Sequence, residues 1–292
     1  MTGFWIEDDS TTPGEQVRIE CVREIFRARS PFQQVRIVET VRYGRALLLD
    51  GKTQSAESDE ALYHETLVHP ALLHAAAPPR RVAILGGGEG APLREALRHR
   101  AIERATMVDI DRVVVEGCGR HLPEWNAGAF ADPRAEVAIG DAKEWVESGG
   151  EPLDAVIGDL TDPGEEGPAE ALYAPAFFRS VRDRLAPGGV GVFQCGWAVP
   201  QQARRGFAPV VAILRALFPL VVPYALHVPS FAGPWGFVLF AREALPVLDA
   251  AAMDARIATR ISSRLHAFDG ATWEHARHLP RPLREALGAA RG

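Results

Sequence analysis

The chain has 292 residues, a formal charge of −6, 47% hydrophobic and 24% charged residues, values of an ordinary globular protein of one large domain or one and a half. Net acidity excludes the basic balance of a nucleic-acid binder, and no apolar run is long enough to span a bilayer. Met1–Ser10 lacks the basic and apolar regions of a signal peptide, and Cys21, Cys118 and Cys195 are widely spaced; the expectation is a cytoplasmic protein with reduced thiols, no disulfide frame, no zinc ribbon, and neither a nucleic-acid nor a membrane partner.

Residues 1–58 read as a small N-terminal β domain. Val35 and Ile37 alternate with polar neighbours, Arg42-Tyr43-Gly44 is a turn, and Ala46–Leu49 is a strand ending in the turn Asp50-Gly51. So few residues cannot form a sizeable core alone, so the sheet should cover or pair with something. Residues 59–79 form a connecting helix and linker. Ser58-Asp59-Glu60 can cap a helix to about Leu73, bent at Pro70. It carries Tyr63, His64, Glu65 and His69. Its histidines are five apart, where a zinc-protease helix needs four, so no metal site is expected.

Residues 80–292 alternate strands and helices. The strands are Val82–Leu85, Ala105–Val108, Ala135–Ile139, Leu153–Gly158 and Val190–Gln194, closed by Val221–Val228 and Gly236–Phe240. The helices between them are Ala91–Arg98, Asp111–Leu122, a short one near Lys143–Val146, Pro175–Leu185 and Gln201–Leu217. Such alternation implies an α/β fold, a doubly wound parallel sheet with helices on both faces. The closing pair is a feature of the class I methyltransferase-like Rossmann fold.

The chain is organised around Arg81–Ala91, where a buried strand runs into Gly86-Gly87-Gly88-Glu89-Gly90. Gly86-x-Gly88-x-x-Ala91 fits the glycine fingerprint of a nucleotide-binding turn. The next strand ends at Asp109, about 20 residues on, where a carboxylate meets ribose hydroxyls. A third strand runs into Asp159-Leu160-Thr161-Asp162-Pro163. Ligands of open α/β sheets sit at the carboxyl ends of the strands, so Glu89, Asp109, Asp159 and Asp162 should converge on one crevice. From Glu144 to Phe178 there are nine carboxylates and no lysine or arginine. An acidic run often serves only as a solvated face, but a one-sign field around a crevice attracts cations, and a cationic substrate is the sharper reading.

These residues resemble one family, the polyamine aminopropyltransferases (spermidine synthase and its relatives), from about Phe32 to about Leu287. The markers are Phe32-Gln33, Leu49-Asp50-Gly51-Lys52-Thr53-Gln54, Asp59-Glu60-x-x-Tyr63-His64-Glu65, Gly86–Gly90, Asp109-Ile110-Asp111 and Gly140-Asp141-Ala142. Asp159–Pro163, Gly167-Pro168-Ala169, Phe268-Asp269-Gly270 and Leu279-Pro280 complete the set. Within the family the chain looks closest to thermospermine synthases and to bacterial enzymes using agmatine or triamines. Glu89 replaces the aspartate usual in spermidine synthases, and His64 stands where those enzymes usually have glutamine.

The resemblance implies transfer of the aminopropyl group of decarboxylated S-adenosylmethionine, a co-substrate rather than a prosthetic group, to a polyamine, releasing 5′-methylthioadenosine. It makes Asp159 the base, with Tyr63 nearby. Gln33, Gly86, Gly88, Glu89, Asp109, Asp141 and Ala142 would bind the donor: Glu89 its terminal ammonium, Asp109 the ribose, Asp141 the adenine amino group. His64, Asp162, Tyr224 and Trp235 would bind the acceptor, with Gln54 a weaker candidate. Asp162 also suits a turn before Pro163, and Asp141 a helix cap. The expected acceptor is spermidine, with putrescine or agmatine as alternatives, and a homodimer or homotetramer is implied. A methyltransferase on this fold gives no reason for the Asp159–Pro163 loop. A non-enzymatic polyamine-binding relative gives none for the retained acids.

Overall fold

A computed structural model describes residues 3–8, 16–162 and 170–288. Pro163 and Gly167-Pro168-Ala169, part of the resemblance, lie outside the described residues. The chain opens with five antiparallel strands in sequential order: β1 (Phe4–Asp8), β2 (Val17–Arg29), β3 (Gln34–Thr40), β4 (Gly44–Leu49) and β5 (Lys52–Ala56). Asp50 and Gly51 take φ of 46° and 85°, the paired left-handed conformations that join two twisted strands in a tight hairpin. Val35, Ile37 and Leu47 on one face pack against Val114, Cys118, Leu122 and Trp125 of the following domain. Alternate residues Val38, Ala46 and Leu48 join Ile6 and Ile19 in a second cluster. One face of the small sheet therefore packs on helices of the following domain, and the other holds a cluster of its own residues.

Helix α1 (Glu60–His74) is buried at every residue from Tyr63 to His74. Its buried histidines and Glu65 find partners inside the protein. Asp59 stands at the N-cap position, yet its carboxylate does not cap. It accepts from the backbone N–H and hydroxyl of Ser230, at 2.7 and 2.8 Å. The expected cap is thus replaced by a tie to a loop 171 residues away.

The larger sheet has seven strands: β6 (Arg81–Gly86), β7 (Arg104–Asp109), β8 (Ala135–Ile139), β9 (Leu153–Asp159), β10 (Leu185–Trp197), β11 (Leu220–Val228) and β12 (Gly233–Ala241). Their order is β11-β12-β10-β9-β6-β7-β8, with β10 to β8 parallel and β11 and β12 antiparallel. Strand alternation divides the core: Val82 and Ile84 face one cluster, Ala83 and Leu85 the other. Pro223 is tolerated because β11 is an edge strand.

Crossovers are made by α2 (Ala91–Leu97), α3 (Arg112–His121), α4 (Pro123–Asn126), α5 (Ala142–Glu147) and α6 (Pro175–Arg184). The single helix expected at Gln201–Leu217 is two, α7 (Pro200–Ala203) and α8 (Phe207–Leu217), divided at Gly206. Three C-terminal helices were not delimited from sequence: α9 (Ala250–Arg260), α10 (Gly270–Arg277) and α11 (Arg281–Gly288). They bury Met253, Trp273, Leu283 and Leu287 on the core. Among the described residues no helix is long and apolar enough to cross a membrane.

Candidate active site

The strand order reverses at β6, whose two neighbours β9 and β7 carry the chain in opposite directions across the sheet. A crevice opens at such a point, outside the carboxyl ends of the strands. Here it is a cavity of about 300 Å³. Gly86 lies in register with Asp159, and a β-carbon on Gly86 would sit 2.1 Å from the Asp159 carbonyl oxygen. A β-carbon on Gly88 would sit 2.7 Å from the Asp109 carboxylate. These two glycines let the strand ends close together. Glu89, Asp109, Asp141, Asp159 and Asp162 all line the cavity, as the strand ends imply.

One end of the cavity is built from the N-terminal domain and the ends of β6 to β8. Asp111 is the link: its Oδ2 accepts from Ser30 Oγ (2.7 Å) and Gln33 Nε2 (2.9 Å), and its own N–H donates to Asp109 Oδ1 (2.8 Å). Gln33 thus lines the cavity while pinned to Asp111 in the turn after β7. Burial, with a smaller contribution from the Glu89 charge, pushes Asp109 up to about 7, against hydrogen bonds from the Asp111 and Gly88 N–H groups. Asp141 caps α5, its Oδ1 accepting from Lys143 N (2.6 Å) and Glu144 N (3.2 Å). It lines the cavity beside Ala142, so the cap and the lining position belong to one residue.

At the centre, the Tyr63 hydroxyl donates to Asp159 Oδ1 at 2.7 Å. Burial, the nearby Asp159 charge and this bond hold the Tyr63 phenol well above its ordinary value, so it remains a donor. Asp159 is pushed up to about 7, first by burial and then by the Glu89 charge; His64 and the Tyr63 bond oppose the shift. One ligand atom each from His64, Glu89 and Asp159 lie within 4.8 Å of one another. Both nitrogens of His64 are already spent on carboxylates, Nδ1 on Glu60 (3.1 Å) and Nε2 on Glu89 (2.8 Å). His64 therefore has no nitrogen left to offer a metal ion.

The other end is formed by the β9 loop, β10 and the turn between β11 and β12. Asp162, Gln194, Phe231 and Trp235 line it. Trp235 lies 4.8 Å from Phe231 and 5.5 Å from Trp197 between ring centroids, and Phe231 meets Tyr63 edge-on at 5.5 Å. Gln194 ties these pieces together. Its Oε1 accepts from Trp235 Nε1 (3.0 Å) and Gly196 N (2.9 Å), while its Nε2 faces the Leu160 carbonyl, Asp162 Oδ1 (3.3 Å) and Tyr173 Oη (3.3 Å).

Two expected acceptor residues are placed elsewhere. Tyr224 is fully buried, stacks on Phe237, and donates its hydroxyl to the Thr66 carbonyl at 2.9 Å. The β11–β12 pairing turns it into the core, and Phe231 is the aromatic that the loop presents. His64 is also fully buried and lies behind Glu89 rather than on the cavity surface. Gln54 does line the cavity. Sequence reasoning missed Gln194, whose signal was a lone amide at the carboxyl end of an otherwise apolar strand, and the Ser30–Asp111 link.

Two family models match: the spermidine synthase tetramerisation domain at residues 4–57 and the spermine/spermidine synthase domain at residues 60–249. A polyamine aminopropyltransferase of Hyperthermus butylicus is 43% identical over 282 residues, 96% of this chain and 92% of its own. A thermospermine synthase of Arabidopsis thaliana is 38% identical over 264 residues, 90% of this chain and 77% of its own. Among solved structures, a spermidine synthase in complex with the transition-state analogue AdoDATO superposes with a TM-score of 0.90 at 26% identity, covering 98% of this chain and 95% of that one. With the strand-end acids and the Tyr63–Asp159 pair in place, the chain belongs to the spermine/spermidine synthase family, the polyamine aminopropyltransferases.

Proposed function

We propose that this aminopropyltransferase uses decarboxylated S-adenosylmethionine to extend spermidine, giving a tetraamine of the thermospermine type. The observation that carries the reading is one cavity with carboxylates at its centre and an aromatic wall beyond Asp162. Asp109 and Asp141 would take the ribose and the adenine, and Glu89 the terminal ammonium of the aminopropyl arm. A carboxylate at that place repels the carboxylate of intact S-adenosylmethionine and so favours the decarboxylated donor.

The acceptor amine must be neutral to attack, and a free aliphatic amine titrates near 10. Asp159 would take its proton, with Tyr63 fixing the orientation of the carboxylate. The nitrogen lone pair forms a bond to the carbon beside the sulfonium. The carbon–sulfur bond breaks with its electrons passing to sulfur, which leaves as the neutral thioether of 5′-methylthioadenosine. Holding the two reactants in line is the larger part of the work. Asp162 would hold a second ammonium, and Phe231 and Trp235 the methylenes between charges.

The exposed Trp5 and Val41 on the N-terminal domain (52% and 62% exposed), together with the name of the matching N-terminal model, support assembly as a homodimer or homotetramer. Three buried free thiols suit a reducing compartment, and the cytoplasm is the proposed location.

The test is a product assay: purified protein with decarboxylated S-adenosylmethionine and, separately, putrescine, agmatine, spermidine and norspermidine, resolved by mass spectrometry against thermospermine and spermine standards. A tetraamine from spermidine is the expected result. Product only from putrescine or agmatine overturns the acceptor and leaves the chemistry.

A further inference from the structure

The two carboxylates that face the reacting centre, Glu89 and Asp159, crowd one place, and Asp109 adds a third charge nearby. Like charges so close normally force one to take up a proton. The substrates' cations relieve this only while bound. A resident cation behind the wall would relieve it throughout the cycle, and the fold supplies one candidate.

His64 sits one helical turn after Glu60 on α1, so the two share a face. Its Nδ1 meets Glu60 at 3.1 Å and its Nε2 meets Glu89 at 2.8 Å. A neutral imidazole donates from one nitrogen only, whereas two carboxylate partners offer only lone pairs. The pairing calls for N–H on both. Glu60 is itself fixed from the far side: Arg94 of α2 reaches it with Nη1 (3.1 Å) and Nη2 (2.8 Å). The ring is fully buried, edge-on to Tyr63 at 5.0 Å, and does not reach the cavity surface.

The geometry points to His64 as a charged positioning residue, an imidazolium wedged between Glu60 and Glu89 that lets the Glu89 and Asp159 carboxylates face the same cavity without touching either substrate. The charged groups around the ring are Glu60 of α1 and Asp59 just before it, Glu89 of the glycine turn and Asp159 of β9, all acidic, with the Arg94 cation beyond Glu60. Burial disfavours a charge on His64, but the bonds and fields of Glu60 and Glu89 outweigh it and raise the ring to about 10. The same cation lowers Asp159, against the upward push of burial, Glu89 and Asp109.

This rests on the reading of Asp159 as the base, and the experiment separates the two. The enzyme, His64→Gln and Glu60→Gln are compared by kcat/KM against pH from 6 to 9, with 5′-methylthioadenosine affinity as the check on folding. His64→Gln is expected to move the acid limb up by about one pH unit, with a roughly fivefold loss near pH 7 that recovers by pH 9. Glu60→Gln, which removes an anion outside the cavity and leaves His64 charged through its bond to Glu89, is expected to move it slightly the other way, down. A loss equal at every pH with a raised acceptor KM makes His64 a substrate contact and overturns the proposal. In parallel, ¹⁵N spectra of histidine-labelled wild-type enzyme, with His64 assigned by its absence from the Gln variant, should show an imidazolium up to pH 8. A neutral-tautomer pattern at pH 7 overturns the proposal even if the variant misfolds. Absence of product with every acceptor defeats the reading of function, while the ¹⁵N measurement still decides the charge of His64.

Discussion

The two ends of the cavity are built by different means. At the end proposed for the donor, each lining residue hangs from the end of a parallel strand: Gly86–Glu89 from β6, Asp109 from β7, Asp141 from β8. Neighbouring strands hold one another in register, so the main chain alone brings these groups together. At the end proposed for the acceptor only Asp159 and Asp162 arrive this way. The rest is held by side chains: Asp59 grips Ser230 in the turn that carries Phe231, and Gln194 joins Trp235 to the Leu160–Asp162 loop. A framework of backbone is common to any nucleotide-binding sheet, whereas side-chain ties can be changed one at a time. The difference suits a family with one donor and several acceptors.

The boundary between the ends is the sharpest place to test the comparison. Asp159→Asn keeps the acceptor for the Tyr63 hydroxyl but removes the proposed base. Turnover should fall on the order of 10²- to 10⁴-fold, while 5′-methylthioadenosine, measured by calorimetry, binds as before. Near-normal turnover would remove Asp159 from the mechanism. Glu89→Gln should weaken the donor about tenfold more than 5′-methylthioadenosine, which lacks the ammonium. Equal losses for the two ligands would argue against that contact and blur the division between the ends.

How much was legible in the sequence follows the same division. The glycine loop, Asp109, Asp141 and Asp159 could be read because their signal is local: an apolar run, then a polar residue at its carboxyl end. The strand limits at Ala135–Ile139 match and most others differ by a residue or two, but β10 and β12 begin five and three residues before the expected Val190 and Gly236. Tyr224 could not be placed, because only the pairing Tyr224–Phe237 decides which way β11 faces. Asp59 was read as a cap on the only partners that chain proximity offers, and its actual partner lies across the molecule. Gln194 looked like one polar residue in a buried strand. His64 carried the right chemistry with the wrong neighbour, since a helix position does not say which side of a wall it occupies.

Gln194→Leu tests the side-chain end directly. The substitution keeps bulk but strands the Trp235 N–H and loosens Asp162, each buried or half-buried. An orphaned buried donor costs about 1–3 kcal/mol. The expected outcome is an acceptor kcat/KM reduced at least about tenfold, with the affinity for 5′-methylthioadenosine unchanged. A parallel loss of donor affinity would show that the two ends are one mechanical unit and break the comparison.

The smallest effect is on stability. Asp159 titrates near 7 in the folded chain, above the usual carboxylate range, chiefly because it is buried and faces Glu89. A carboxyl whose folded value is raised holds its proton more tightly folded than unfolded, so ionising it destabilises the fold. That cost is absent below pH 4, grows between about 4 and 7, and is complete above 7. Asp159→Asn has no charge to bury, so it should be more stable than the parent enzyme at pH 8, and the gain should shrink as the pH falls. The carboxylate borders an open cavity, where water softens the penalty, so the gain is on the order of 1 kcal/mol. Urea midpoints at pH 5 and pH 8, without ligand, measure it. A donor that brings its own cation should erase the gain, because it stabilises the parent's charge and not the amide. A gain that persists at pH 5 would trace it to packing rather than to charge, and would leave the acidic centre without the strain that His64 and the substrates are arranged to relieve.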